Sequence, residues 1–317
     1  MNTVPFVLSE LKDRLALSEN NFQLLNAPEI LVQHFRRMAS ESTVSIRRPR
    51  SFAGYEFITQ TGATTIETLR GIRDFVTFIG ALVLSGIRVA GKPKSLRTHD
   101  IVRYMKTTGV DALPVVGLIS FLIGLIMAFM SSLQLKQFGA NIYVASLVAL
   151  SMVSELGPIM TAIIVSGRSG SAYAAEISTM KISEEIDALI TMGFDPVLFL
   201  AIPRMIAAVI VIPLLTMFAN LFAIAGGLLI GVTMLDLSAG SYITQTINSL
   251  NLFELNWGLS KSFVFAILIS GVGCLRGFQA KGGASAVGHA ATSAVVTSIF
   301  LIVLFDSIFA VVRSYWG

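Results

Sequence analysis

The chain has 317 residues, of which 54% are hydrophobic and only 13% are charged, and its mean hydropathy is +0.76. Soluble globular domains carry about 25% charged residues, so a soluble fold of this size would lack a polar surface. One or two apolar runs fit a buried soluble core, but several runs of roughly 20 residues do not. The composition therefore predicts an all-α polytopic membrane protein.

Positive charge is concentrated in the first third of the chain. Residues 1–106 hold 15 Lys and Arg against 9 Asp and Glu, whereas the remaining residues hold 8 against 10. This balance favours anionic lipid headgroups as neighbours of the N-terminal segment. No aromatic-interleaved basic face accompanies the charge, so no nucleic acid is predicted as a partner. Cys274 is the single cysteine, which excludes an internal disulfide.

Residues 1–60 form a predicted N-terminal cytoplasmic region of mixed pattern. Arg47, Arg48 and Arg50 flank Pro49, as in a solvated linker. Residues 1–20 contain acids and no apolar core before a cleavage site, so no cleaved signal peptide is expected.

An amphipathic helix is predicted over residues 65–92, where apolar side chains recur at helical spacing. The uninterrupted apolar stretch covers only residues 75–87, which is shorter than the roughly 20 residues that cross a bilayer. A helix lying in the membrane interface therefore fits better than a spanning one. A short first span is the alternative, because residues 80–90 are nearly free of charge.

Five membrane spans are predicted after this helix. The third exceeds the length that a bilayer requires, and Pro203 and Pro213 predict a kink in its early part. The segment before the first span is the most basic, so the N-terminus is predicted to be cytoplasmic and, with five spans, the C-terminus periplasmic. The predicted spans are residues 112–133, 142–165, 205–235, 259–275 and 291–312.

Catalytic and metal-binding signatures are scarce. The three histidines, His34, His99 and His289, have no metal-ligand spacing. Residues 283–290 have the glycine spacing of a phosphate loop but lack its Lys-Ser/Thr pair. No cofactor is predicted, and any ATP hydrolysis is expected in another subunit.

Glu155 lies near the middle of the second predicted span, where a carboxylate is costly. It is either a polar group satisfied by backbone that Pro158 leaves unpaired, or a residue that lines a cavity and contacts a lipid headgroup. Asp306 in the fifth span and Lys261 at the outer start of the fourth are weaker candidates. Lys261 is expected to extend its ammonium group to the interface.

A short amphipathic helix is predicted in the loop between spans two and three. Ser183 is the expected N-cap and Gly193 the expected C-terminal glycine. Ile186, Leu189 and Ile190 share one face, and acids surround them. The helix rests either on the membrane surface or on a partner protein, and its acidic character favours a protein.

Several short blocks stand in a fixed order along residues 66–317. Their order and spacing resemble the MlaE-type permease family, the membrane subunit of MCE-associated ABC transporters. The resemblance is greatest to the subgroup with an N-terminal STAS-like extension. Residues 61–317 match the permease domain, and residues 1–60 are either a partial STAS-like remnant or disordered. The blocks are residues 110–117, 155–158, 175–181, 184–189, 195–196, 203–204 and 282–292.

The resemblance implies a homodimer in the bacterial inner (cytoplasmic) membrane that moves phospholipids between the inner and outer membranes. It also implies an ABC ATPase subunit (MlaF-like) on the cytoplasmic face and an MCE-domain protein (MlaD-like) on the outer face of the membrane. A STAS protein (MlaB-like) is a further partner that the resemblance allows. By the same analogy, a lipid cavity is lined by Glu155, Leu156, Gly157 and Pro158. The ATPase-coupling residues would be Glu184, Glu185, Ile186, Asp187, Leu189 and Met192.

Three other functions are weighed against this one. A secondary transporter should show inverted repeats and several intramembrane charges, and we expect the spans to lack such charge pairs. An intramembrane lipid-modifying enzyme needs a catalytic set near one interface, which Glu155 alone does not supply. A scaffold or receptor would have a larger soluble domain than residues 1–60.

Overall fold

The computed structural model describes residues 97–316 without a break, together with residues 71, 73, 76–82, 84–86 and 88. The predicted N-terminal region, residues 1–60, lies outside the described residues, as does much of the predicted helix 65–92. The described residues of that helix are helical, and Phe78 and Leu82 pack in a hydrophobic cluster with Ile177 and Leu275. Its placement in the membrane interface stays a prediction.

Residues 97–316 form ten α-helices and contain no β-strand, which confirms the all-α prediction for this part of the chain. The helices are α1 (Thr98–Met105), α2 (Leu113–Leu135), α3 (Tyr143–Ser151), α4 (Gly157–Val165), α5 (Ser171–Ile182), α6 (Glu185–Thr191), α7 (Ile202–Met234), α8 (Ala239–Ser249), α9 (Leu252–Gln279) and α10 (Ser285–Trp316).

Single turns of π-helix join several of these helices into longer rods. Lys106–Val110 joins α1 to α2, Met152–Leu156 joins α3 to α4, Ser166–Gly170 joins α4 to α5, and Val197–Ala201 precedes α7. Such turns insert one residue into the helical hydrogen-bond pattern and are frequent at functional sites.

Five of the resulting helices among the described residues are long and apolar enough to cross a membrane. The five-span prediction is thus confirmed, and each predicted span fits within one of these helices to within one residue. The first two helices continue beyond the predicted spans on the side that the sequence predicts to be cytoplasmic. The helices are Thr98–Phe138, Tyr143–Ile182, Val197–Met234, Leu252–Gln279 and Ser285–Tyr315.

Helix α7 lies at the centre of the bundle, between α2 and α9. Small residues allow its backbone to approach α2 closely, as is common between helices in membranes. A methyl group added at Gly124 would overlap the carbonyl oxygen of Ala223, and one added at Gly226 would overlap that of Phe121. Backbone contact of this kind fixes the position of α7 relative to its neighbours.

Helix α8 lies between the third and fourth spans and was not predicted from the sequence. Its N-cap is Ser238, whose hydroxyl accepts a hydrogen bond from the backbone N–H of Ser241. Tyr242 is fully buried against Gly227 and Gly231 of α7. Burial raises the pKa of Tyr242 to about 12, so its phenol stays neutral at physiological pH. The packing of Tyr242 against the two glycines fixes α8 to the end of α7.

Candidate functional site: a charge cluster within the helix bundle

Lys261 of α9 is completely buried between two carboxylates. Its ammonium group donates hydrogen bonds to the carboxylate of Glu155 and to Oδ1 of Asp306, the latter at 3.0 Å. The expectation that Lys261 extends to the membrane interface is therefore wrong. The two carboxylates stabilise the ammonium group inside the bundle, where an unpaired charge would be very costly.

Arg313 of α10 extends the cluster to five charged groups. Its Nη1 lies 3.5 Å from Oε1 of Glu155, and its Nη2 donates to Oε1 of Glu254 at 2.7 Å. The expectation that the spans lack charge pairs is therefore also wrong. Three carboxylates and two cations give the cluster a formal charge of −1 when all are ionised. We call Glu155, Glu254, Lys261, Asp306 and Arg313 the charge cluster.

The local sequence explains how Lys261 reaches Glu155. Glu155 lies on the π-helical turn Met152–Leu156, directly before the start of α4. Gly258 precedes Lys261 by one helical turn, and a methyl group at Gly258 would overlap the carbonyl oxygen of Val153. The missing side chain at Gly258 lets α9 contact this turn closely, which places the lysine beside the glutamate.

Exposure differs across the charge cluster. Lys261 is inaccessible, whereas the Glu155 and Arg313 side chains are 33% and 32% exposed. Only these two thus offer a sizeable surface to a ligand. Of the other residues predicted to line a lipid cavity, Leu156 is half-buried, and Gly157 and Pro158 are buried. The role of these residues in lining a lipid cavity stays a prediction.

A family model described as "Permease MlaE" matches residues 101–312. The chain belongs to the MlaE permease family. A probable ABC transporter permease protein of Rickettsia felis is 37% identical over 243 residues, which cover 77% of this chain and 92% of that protein. A probable ABC transporter permease protein of Synechocystis sp. is 31% identical over 207 residues, 65% of this chain and 79% of that one.

A plant protein is also similar to this chain. The chloroplastic protein TRIGALACTOSYLDIACYLGLYCEROL 1 of Arabidopsis thaliana is 32% identical over 208 residues, 66% of this chain and 59% of that protein. Membership of the MlaE family indicates a multi-pass membrane protein that serves as a transport subunit. It also implies an ATPase partner, since the relatives are named ABC transporter permeases.

In this MlaE-family chain, the loop helix α6 begins one residue later than predicted. Ser183 is the C-cap of α5, and its hydroxyl donates to the carbonyl oxygen of Thr179, so its assignment as N-cap is wrong. The N-cap is Glu184, whose φ is 61°. The prediction for Gly193 is confirmed: its φ is 82°, and the N–H of the following Phe194 donates to the carbonyl oxygen of Leu189. This arrangement is a Schellman motif.

The predicted apolar face of α6 divides between two environments. Ile186 is buried and Leu189 half-buried, and both pack against the hydrophobic cluster of this same chain. Ile190, Met192 and Phe194 are 55%, 62% and 49% exposed. Ile190, Met192 and Phe194 are therefore the most exposed of these apolar side chains, and the ATPase-coupling role of the predicted residues stays a prediction. The acidic residues Glu184, Glu185 and Asp187 are exposed nearby.

A second buried charge, Arg204 of α7, was not predicted as a site residue. Arg204 is 2% exposed and donates to the carbonyl oxygen of Leu200 at 2.7 Å and to Oε2 of Glu176 at 2.8 Å. Its guanidinium carbon lies 4.5 Å from the ring centroid of Tyr104. Arg204 thus connects α7 to α5 and α1. The only sequence signal was that Glu176 and Arg204 lie within the blocks that resemble MlaE permeases.

Proposed function

We propose that this protein is the permease of an ABC transporter that moves phospholipids between the inner and outer membranes, coupled to a separate ATPase through α6. The observation that carries the proposal is a charge cluster, accessible at Glu155 and Arg313, inside an apolar helix bundle of the MlaE family. Charged residues within membrane spans commonly lie on substrate pathways.

A phospholipid fits the chemistry of this cluster. Arg313 provides a guanidinium that binds phosphate well, and Glu155 provides a carboxylate for a headgroup amine. The apolar residues around the cluster suit acyl chains. The name of the Arabidopsis relative, which is that of a galactolipid, supports a lipid as cargo.

A second copy of this chain would complete the transport pathway. Helix α10 carries Asp306 and Arg313. Only 11% of the residues in its most apolar 18-residue stretch are buried. Val296, Phe300 and Val303 are at least 53% exposed along this helix. We infer that α10 contributes to a homodimer interface as well as to the lipid-facing surface, and that an MCE-domain protein takes the lipid on the outer side.

Coupling to the ATPase is assigned to the exposed end of α6. Ile190, Met192 and Phe194 form an apolar surface next to three acidic side chains. A helix that presents such a surface is suited to a groove in a partner protein. Ile186 and Leu189, on its inner side, would transmit movement of α6 to the hydrophobic cluster that they contact.

The coupling assignment is tested by Ile190→Arg, with Ile247→Arg as the matched control. Ile190 and Ile247 are 55% and 65% exposed, and Ile247 lies on α8, at the opposite end of the bundle. Affinity purification in mild detergent should lose the ATPase subunit with Ile190→Arg and retain it with Ile247→Arg. Normal co-purification with Ile190→Arg would contradict the docking role.

The lipid assignment is tested by Glu155→Gln, with Asp236→Asn as the control. Asp236 is an exposed carboxylate outside the charge cluster, and its φ of 52° suits asparagine as well as aspartate. Mass spectrometry of phospholipid bound to the purified protein should show a reduced amount with Glu155→Gln alone. Equal phospholipid content in Glu155→Gln and the parent protein would argue against a lipid site at Glu155.

The charge cluster itself favours one alternative, a secondary transporter driven by an ion gradient, because such carriers use intramembrane charges. Proteoliposomes that contain only this chain distinguish the two mechanisms. Lipid movement driven by a proton or sodium gradient without ATP would establish the alternative. Under the proposed function, a gradient alone produces no movement. No contact among the described residues favours an intramembrane lipid-modifying enzyme.

A further inference from the structure

We propose that the cavity between the end of α9 and the start of α10 is a binding site for a phosphate group. The cavity has a volume of about 370 Å³. It lies at the opposite end of α9 from the charge cluster, since the 15 residues from Lys261 to Arg276 span ~22 Å of helix. Its polar lining residues include Gln279, Arg276, Lys281, Ser285, His289 and Ser293.

The lining is basic and contains no carboxylate. Arg276 and Lys281 are cationic side chains, and the imidazole of His289 adds a further hydrogen-bonding group. Within the described part of the chain, no carboxylate oxygen lies within 4 Å of Arg276 or Lys281. Two cations without a carboxylate favour an anionic ligand, because an anion would balance their charge.

Arg276 is held in place with part of its hydrogen-bonding capacity unused. Its Nη1 donates to Oε1 of Gln279 at 3.2 Å, and its Nη2 donates to Oγ1 of Thr297 at 3.0 Å. Nε of Arg276 is buried and has no hydrogen-bond partner among the described residues. These neutral acceptors orient the guanidinium without neutralising it, which leaves its charge available to a bound anion.

The surrounding groups favour phosphate among anions. Ser285 and Ser293 provide neutral hydroxyl donors, and α10 begins at the cavity with the positive end of its dipole. Gly282 and Gly283 have no side chains that would block a tetrahedral ligand. The phosphate would belong either to the headgroup of a phospholipid in the nearby leaflet or to a free phosphate ion. This inference rests on the cavity alone and does not depend on the proposed transport function.

The test measures thermal unfolding of the full-length protein in mild detergent with three probes. They are dihexanoyl phosphatidylglycerol, dihexanoylglycerol (which lacks phosphate) and inorganic phosphate, the last compared with chloride at equal ionic strength. A phosphate-bearing probe should raise the melting temperature of the parent protein in a saturable manner. Dihexanoylglycerol should have no such effect.

Lys281→Gln is the main variant, because Lys281 is exposed and its loss should not disturb folding. Losing one charge-assisted contact should raise the half-saturating concentration about tenfold. Arg276→Lys, which keeps the charge but loses the planar group, should also weaken binding. Lys106→Gln, at an exposed lysine outside the cavity, should leave binding unchanged.

Each outcome supports or overturns the proposal. Saturable stabilisation by inorganic phosphate identifies the free ion as a ligand, and stabilisation by phosphatidylglycerol alone identifies the lipid headgroup. Either result supports a phosphate site if Lys281→Gln weakens it. The proposal fails if no phosphate-bearing probe stabilises the protein, if dihexanoylglycerol is equally effective, or if Lys281→Gln binds as tightly as the parent.

Discussion

Lys261→Met is expected to destabilise the protein strongly, because it removes a buried cation from between two carboxylates. Methionine has a similar length but no charge, so Glu155 and Asp306 lose their shared partner. Nη1 of Arg313 remains 3.5 Å from Glu155 and still balances part of its charge. Asp306 keeps no cation within 4 Å among the described residues.

The magnitude follows from the burial of these groups. Removing one partner of a buried ion pair costs about 3–5 kcal/mol. The Glu155 and Asp306 side chains are 33% and 19% exposed, so the lower value, about 3 kcal/mol, is appropriate. For a domain of roughly 150–250 residues, each kcal/mol lowers the melting temperature by about 2–4 °C. The variant should therefore melt about 6–12 °C below the parent protein.

The assay is thermal unfolding of the purified protein in mild detergent. A triple variant, Lys261→Met with Glu155→Gln and Asp306→Asn, serves as the matched control. Because it also removes the two unpaired carboxylates, it should recover most of the lost stability. The reasoning is refuted if Lys261→Met melts within about 2 °C of the parent, or if the triple variant is no more stable than the single one.

Three further substitutions test the packing of the bundle and the loop helix. Gly124→Ala should reduce the yield of monodisperse protein in size-exclusion chromatography, because the added methyl group overlaps a carbonyl oxygen of α7. The control, Gly271→Ala, should not reduce the yield, since the nearest atom to its added methyl group is 4.0 Å away. Equal yields of the two variants would contradict this packing. Arg204→Gln should lower the unfolding free energy by about 1–3 kcal/mol through the lost ion pair with α5, and an unchanged melting temperature would contradict that role. Gly193→Ala should destabilise the end of α6 by about 1 kcal/mol, because Gly193 has a φ of 82° that alanine adopts only with strain. The variant should therefore speed proteolysis of this loop. Unchanged cleavage rates would count against the strained turn.

Hydropathy predicted the number of spans but not the full length of the helices. The first helix extends from the predicted start at residue 112 back to Thr98, and the second continues from residue 165 to Ile182. Both extensions pass through π-helical turns at Lys106–Val110 and Ser166–Gly170. These segments are polar, so their hydropathy falls although the helical hydrogen bonding continues.

The charge cluster could be predicted only in part. Glu155 and Asp306 were recognised as costly residues, but the partners of Lys261 lie 106 and 45 residues away in the sequence. Local pattern does not indicate which distant spans are neighbours. It also failed to show that Gly258 removes the steric obstacle between α9 and the Glu155 turn.

The loop helix shows a related limit of sequence patterns. Helical spacing correctly placed Ile186, Leu189 and Ile190 near one another, and Gly193 marked the end of the helix. An apolar face, however, packs equally well against its own chain or against a partner. Only the structure separates Ile186 and Leu189, which contact the hydrophobic cluster, from Ile190, which is exposed.

The most direct test of the proposed mechanism is transfer of a fluorescent phospholipid from proteoliposomes that contain the permease and its ATPase. Transfer should require ATP, and it should stop when the ATPase is replaced by a catalytically inactive variant or when the permease carries Ile190→Arg. Transfer that continues at the parent rate with the inactive ATPase would contradict the account.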